Sequence, residues 1–138
     1  MNLLVKIFVV IGSVASIGFG MWHFFVPKVW KWYSYMDPNA TELILAVQAI
    51  NVFFSLSLVL FGVINFLFIY ADHANRYSIV VVLTATTILW LTRFLLQLIY
   101  PQGSLYPGNQ YGMLAAFILV FLCYAVALMI MMLEKIGV

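Results

Sequence analysis

The sequence predicts an all-α membrane protein: a bundle of four transmembrane helices with a short interfacial segment after the first. Three observations carry that prediction. Hydrophobic residues make up 67% of the 138, and charged residues only 7%, where a soluble domain carries about 25% charged. Four long apolar runs are separated by short polar or Pro/Gly-containing stretches. Each run is long enough to cross a hydrocarbon core, which takes ~20 residues. A water-soluble chain this apolar would expose sticky patches on every side, so lipid is the solvent that fits it.

The first span is expected over residues 3–26. Its apolar run is longer than a typical signal-peptide core, so it reads as a retained membrane helix. Pro27 follows, and proline disfavours helix in the residue before it. Residues 27–38 change character: Lys28, Trp30, Lys31, Trp32, Tyr33, Tyr35 and Asp37 mix lysines with amphipathic aromatics. That mixture belongs at the membrane–water boundary, so the segment is expected to lie along the headgroups.

Asp37-Pro38-Asn39 is a turn signal. Asn39 followed by Glu42 has the spacing of a capping box, with a carboxylate on the positive helix end. The second span is then expected over 40–70, longer than one crossing needs. Residues 71–76 read as a short polar loop in which Asp72 and His73 are solvated. The third span is expected over 77–100. Pro101-Gln102-Gly103 and Pro107-Gly108-Asn109 punctuate the next loop, and the fourth span is expected over 111–133. The whole chain, 1–138, is expected to form a single domain.

Four spans put both ends of the chain on one side. That side carries Lys6, Arg76 and Lys135, and the other carries Lys28 and Lys31. Positively charged loops favour the cytoplasm, so the termini are expected there. The same scatter of cations contains no basic stripe, which argues against a nucleic-acid partner. Cys123 is the lone cysteine. It excludes an internal disulfide and a dithiol redox pair, and no Cys/His spacing points to zinc.

Small and polar residues recur along each span. They are Gly12, Ser16, Gly20 and His23 in the first, and Gln48, Asn51, Ser55, Gly62 and Asn65 in the second. They are Thr86, Arg93, Gln97 and Tyr100 in the third, and Gly112, Ala116, Cys123 and Ala127 in the fourth. Small residues let membrane helices approach, and polar ones turn from lipid. These stripes are expected to face the bundle interior.

Arg93 asks for more. It is the only charge deep in a span, ~10 Å from the helix end at Tyr100 by the α-helical rise. A central arginine costs about 2.5–3.5 kcal/mol on insertion scales. It either snorkels to the headgroups or meets a partner, water or a ligand. The topology gathers His23, Glu42, Gln48, Asn51, Arg93 and Gln97 in one membrane half, and leaves little beyond Asn65 in the other. The expected site is therefore a polar pocket near one membrane face. Arg93 and His23 would bind an acidic or carbonyl-bearing head group there, and Gln48, Asn51 and Gln97 would orient it. Glu42 serves either as a helix-start carboxylate or as a partner of Arg93. His23 and His73 fall on opposite faces, so they do not share a metal, and no metal site is expected. No catalytic motif is present: there is no carboxylate pair at depth, no activated nucleophile and no phosphate-binding glycine loop.

Gly20-Met21-Trp22-His23-Phe24-Phe25-Val26-Pro27, followed by Trp30 and Tyr33, resembles the end of the first helix in DoxX-like membrane proteins. The likeness continues into a second helix with a polar residue (Asn51) and a glycine (Gly62), so its motif covers about residues 18–62. The resemblance implies a four-helix bundle shaped like sterol-isomerase-like and quinone-reductase-like membrane folds. It also implies a small, non-catalytic subunit of a redox or envelope complex, such as a thiosulfate:quinone oxidoreductase. Related members often carry an acidic residue near the place of Asn51, and asparagine does not exchange a proton in that way. The expected function is binding of a lipid-soluble ligand, a quinone or a lipid, by a protein of a bacterial inner membrane. Its expected partners are membrane lipids and a membrane-protein partner or a second copy. Two other readings stand beside it. One is a scaffold whose small-residue stripes dock partner helices. The other is an isomerase-like or reductase-like enzyme with His23 or Glu42 as acid or base.

Overall fold

The computed structural model describes residues 2–71, 74–103 and 107–136. The described residues form an all-α bundle of four long helices. Helix α1 spans Leu3–His23, α3 Thr41–Tyr70, α4 Arg76–Ile99 and α5 Pro107–Ile136. Each is long and apolar enough to cross a membrane, which makes the chain a small integral membrane protein. Between α1 and α3 lie a single helical turn, α2 (Val26–Val29), and a 3-10 turn, Trp32–Tyr35.

Local chemistry sets the ends. The Asn2 side chain accepts a hydrogen bond from the Leu4 N–H at 2.9 Å, and Asn75 accepts from Ser78 at 2.8 Å. Both side chains satisfy donors that a helix start leaves unpaired. Helix α1 stops at His23, three residues short of expectation. A proline in a continuing helix clashes with the carbonyl four residues back, and for Pro27 that residue is His23. Pro27 instead sits in the first turn of α2, where a missing N–H costs nothing. Lys31 then turns the chain with a left-handed φ of 52°.

The expected capping box at Asn39 and Glu42 does not form. Ala40 is the cap residue and makes no side-chain hydrogen bond. The Asn39 N–H is instead held by the Asp37 carboxylate at 2.9 Å, a local turn that competes with the cap. Helix α5 starts four residues earlier than expected, because Pro107 opens the helix rather than breaking it.

Around the bundle the order is α3, α1, α5, α4. Helix α1 packs on α3 and on α5, α4 packs on α5, and α3 and α4 meet only lightly. The α1–α3 seam is held close by two glycines. A Cβ on Gly20 would stand 2.8 Å from the Ser55 carbonyl, and one on Gly62 would stand 2.9 Å from the Ser13 carbonyl. Backbone therefore meets backbone in both directions across this seam.

The centre combines apolar packing with one closed polar cluster. Trp90 of α4 donates its indole N–H to Ser16 of α1 at 3.0 Å. The Ser16 hydroxyl meets the Tyr124 hydroxyl at 3.1 Å, and Tyr124 reaches Ser13 at 3.5 Å. Phe117, Leu83 and Val9 close around these groups. Indole and phenol bring large apolar area into the core, provided that their polar tips find partners. Asn65 ties α3 to α4 through Thr86 at 2.7 Å.

Most of the expected interior stripe is buried: Gly12, Ser16 and Gly20, then Asn51, Ser55, Gly62 and Asn65, then Thr86, Arg93 and Gln97. Cys123 and Ala127 are buried as well, and His23 is half-buried. Gly112, Ala116, Gln48 and Tyr100 are exposed. The buried line of α5 runs through Phe117, Val120, Tyr124, Ala127 and Met131. Residues 112 and 116 sit one position, about 100°, off that line.

Candidate functional site

The candidate site lies where α1 ends, α3 has run about three to four turns and α4 approaches its C-terminus. Gly20 sets Ser55 against α1, and three residues on, His23 reaches the same serine, with Nδ1 3.3 Å from Oγ. The Ser55 hydroxyl donates to the Asn51 carbonyl at 2.7 Å. Its only proton is used there, so its oxygen accepts from His23 Nδ1–H. That assigns the imidazole tautomer and leaves Nε2 as the acceptor. The ring is clamped edge-on by Phe54 and Trp32, at centroid distances of 4.8 and 6.1 Å.

Across the gap Arg93 is 9% exposed. It does not snorkel into bulk solvent. Its guanidinium lies 4.3 Å from the centroid of the Phe117 ring and donates to the Gln102 Oε1 at 2.8 Å. Among the described residues its environment holds no carboxylate: the one ion pair is Arg76 with Glu134, at the opposite face. An aromatic face and a neutral amide orient the cation without neutralising it.

Gln97, 2% exposed, donates to the Gln102 carbonyl at 3.0 Å. Among the described residues, two buried side-chain oxygens lack a partner, Asn51 Oδ1 and Gln97 Oε1. A buried polar atom left unpaired costs about 1–3 kcal/mol, so Asn51, which lines the cleft, offers an oxygen that a visiting donor would satisfy.

A cleft of about 320 Å³ opens here between α3 and α4. His23, Asn51, Phe54, Arg93, Trp32 and Gln102 line it. A smaller cavity of about 170 Å³ shares His23, Trp32 and Gln102 and extends to Phe19, Trp22 and Met113. The lining is mostly aromatic and aliphatic with a few convergent polar groups, as small-molecule sites are.

Of the six residues expected in the pocket, His23, Asn51 and Arg93 line the cleft together. Gln97 is buried against the loop behind it. Gln48 and Glu42 are exposed and line no part of it. The reason is length. Helix α1 has 21 residues and α3 has 30. His23 meets α3 at Phe54 and Ser55, so the first turns of α3 extend beyond α1 with no α1 side chain opposite. Glu42 therefore stays at the start of α3 and makes no pair with Arg93.

Gln102 holds both Arg93 and Gln97, and the pattern of polar residues in the spans does not reveal it. The nearest signal is its setting: Pro101 ends α4, and Gly103 turns the chain back with a φ of +82°. Among the described residues no three His, Cys, Asp or Glu side chains gather in a way that could hold a metal ion. Asp72 and His73 lie outside the described residues. Compared with protein-family models, with curated proteins and with solved structures, the chain matches none.

Proposed function

We propose that this membrane protein binds a lipid-soluble molecule with a carbonyl-bearing or acidic head group, of the quinone or lipid class, in the cleft between α3 and α4. The observation that carries the proposal is Arg93: a cation in a membrane span, oriented by Phe117 and Gln102, lining a cleft with His23 and Asn51. A carbonyl or carboxylate on Arg93 supplies the electron density that a neutral amide only partly gives. A hydroxyl on the same head group would donate to Asn51 Oδ1 or to His23 Nε2. Light packing of α3 on α4 supplies the route, since the bilayer is the reservoir of such molecules.

The resemblance to DoxX-like proteins agrees with this reading. It adds a role as a non-catalytic subunit in a bacterial inner membrane, and the distribution of lysine and arginine favours cytoplasmic termini. The test is native mass spectrometry of gently purified protein. A stoichiometric small molecule is expected on the wild type and on Lys28→Ala, and lost from Arg93→Leu and Asn51→Leu. Equal retention in all four, or no bound small molecule, would refute the proposal. A stoichiometric protein partner in place of the small molecule would favour a scaffold.

A further inference from the structure

A second cleft, about 460 Å³, lies at the opposite membrane face. Four helices meet around it at their ends. Lys6 comes from the first turn of α1, Tyr70 ends α3, Arg76 begins α4, and Glu134 stands near the end of α5. Its deeper wall is apolar, with Ile69, Ile79 and Met131 all under 8% exposed. Charge and aromatic groups thus ring an apolar floor at headgroup level.

The cations are placed rather than scattered. Arg76 is steered by Glu134 at 3.8 Å and donates to the Met131 carbonyl. Lys6 holds its ammonium 5.9 Å from the centroid of the Tyr70 ring and, among the described residues, has no carboxylate within ion-pair distance. Among the described lining residues, two cations face one carboxylate.

We infer that this cleft binds a phosphate group of net negative charge, with Lys6 and Arg76 as its cationic ligands. The phosphate can come from the headgroup of an anionic lipid, whose glycerol and first methylenes would lie on Ile69 and Ile79, or from free phosphate. Basic residues at the membrane surface attract anionic lipid by about 1 kcal/mol each, which sets the scale of the effect. The site is independent of the α3–α4 cleft.

The experiment is thermal unfolding of the intact protein in a neutral detergent, titrated with phosphatidylglycerol, phosphatidylcholine or inorganic phosphate. Phosphatidylglycerol is expected to raise the midpoint and phosphatidylcholine to leave it unchanged. Lys6→Gln is expected to weaken the phosphatidylglycerol effect about fivefold, and Lys28→Gln, on the other face, to leave it intact. Arg76→Gln should act in the same direction, and Lys6→Gln decides the matter if Arg76→Gln fails to fold. Inorganic phosphate acting as well as the lipid would make free phosphate the source. Equal response to the two lipids with no response to inorganic phosphate, or an unchanged response in Lys6→Gln, would overturn the inference.

Discussion

Replacing Gly62 by alanine puts a methyl carbon 2.7 Å from Ile17 Cγ1 and 2.9 Å from the Ser13 carbonyl oxygen. Non-bonded heavy atoms prefer about 3.5–4.0 Å. Ile17 has a side chain that can rotate, whereas the Ser13 carbonyl belongs to a helix backbone and can retreat only with α1. The seam would therefore open by about 0.6 Å. Overpacking of this kind costs about 1–3 kcal/mol. Gly20→Ala meets the Ser55 carbonyl at 2.8 Å and should cost as much. Gly18 and Gly112 are the controls, since a Cβ there meets nothing within 4 Å. Alanine at those positions should stabilise by about 0.5–1 kcal/mol through helix propensity. The assay is reversible unfolding of the four variants in mixed detergent micelles, followed by circular dichroism. The tight pair and the open pair should separate by about 1.5–4 kcal/mol. The seam also places Ser55 against His23, so ligand retention should fall in Gly20→Ala. Equal midpoints for Gly62→Ala and Gly18→Ala would refute the backbone-on-backbone seam.

The remaining predictions concern the polar groups. Ser16→Ala removes the acceptor of the Trp90 indole and a partner of Tyr124. It should cost about 1–3 kcal/mol because a buried N–H is left unpaired, and Tyr124→Phe, which leaves the Trp90–Ser16 bond in place, should cost about 0.5–1.5 kcal/mol; unfolding midpoints and tryptophan emission would rank them. Asn65→Leu deletes the hydrogen bond from Asn65 to Thr86 of α4. It should cost about 0.6 kcal/mol, the average for an interhelical bond in a membrane protein, and increase cross-linking between the two helices' lipid-side positions only if they move. Gln102→Ala frees Arg93 and leaves the bond from Gln97 to the backbone carbonyl of residue 102 in place. It should lower retention of the bound small molecule while leaving the helix content of the circular dichroism spectrum unchanged. Cys123 is 4% exposed. A maleimide should label it slowly in the folded protein and rapidly after denaturation, which gives a one-site reporter for every variant above.

Much of the site's neighbourhood was legible before any fold was known. His23, Asn51 and Arg93 share a membrane half because each span fixes the depth of its residues through helical rise alone. Depth also brought in Gln48 and Glu42, which the fold leaves outside. Their lateral position depends on where α1 stops, and Pro27 sets that stop through a clash with the His23 carbonyl. Gln102 was hidden for a different reason: it sits in a turn, where no periodicity announces a direction. Trp90 and Tyr124 stand outside the stripes of small and polar residues, and only the meeting of α1, α4 and α5 turns them into hydrogen-bonding partners.

By itself the sequence determined that the chain has four helices long and apolar enough to cross a membrane, that an aromatic segment follows the first, and that the deep arginine lies toward the same end of the bundle. These follow from transfer free energies and helix length, which act residue by residue. Only the tertiary structure decided that the helices run α3, α1, α5, α4 around the bundle and that the neighbours α3 and α4 part to leave a cleft. In lipid, the outward face of a helix is as apolar as the inward one. Apolar patterning therefore reports little about which helix meets which. That choice falls to close contacts such as Gly20 on Ser55 and Gly62 on Ser13, whose complementarity exists only when the two surfaces are brought together.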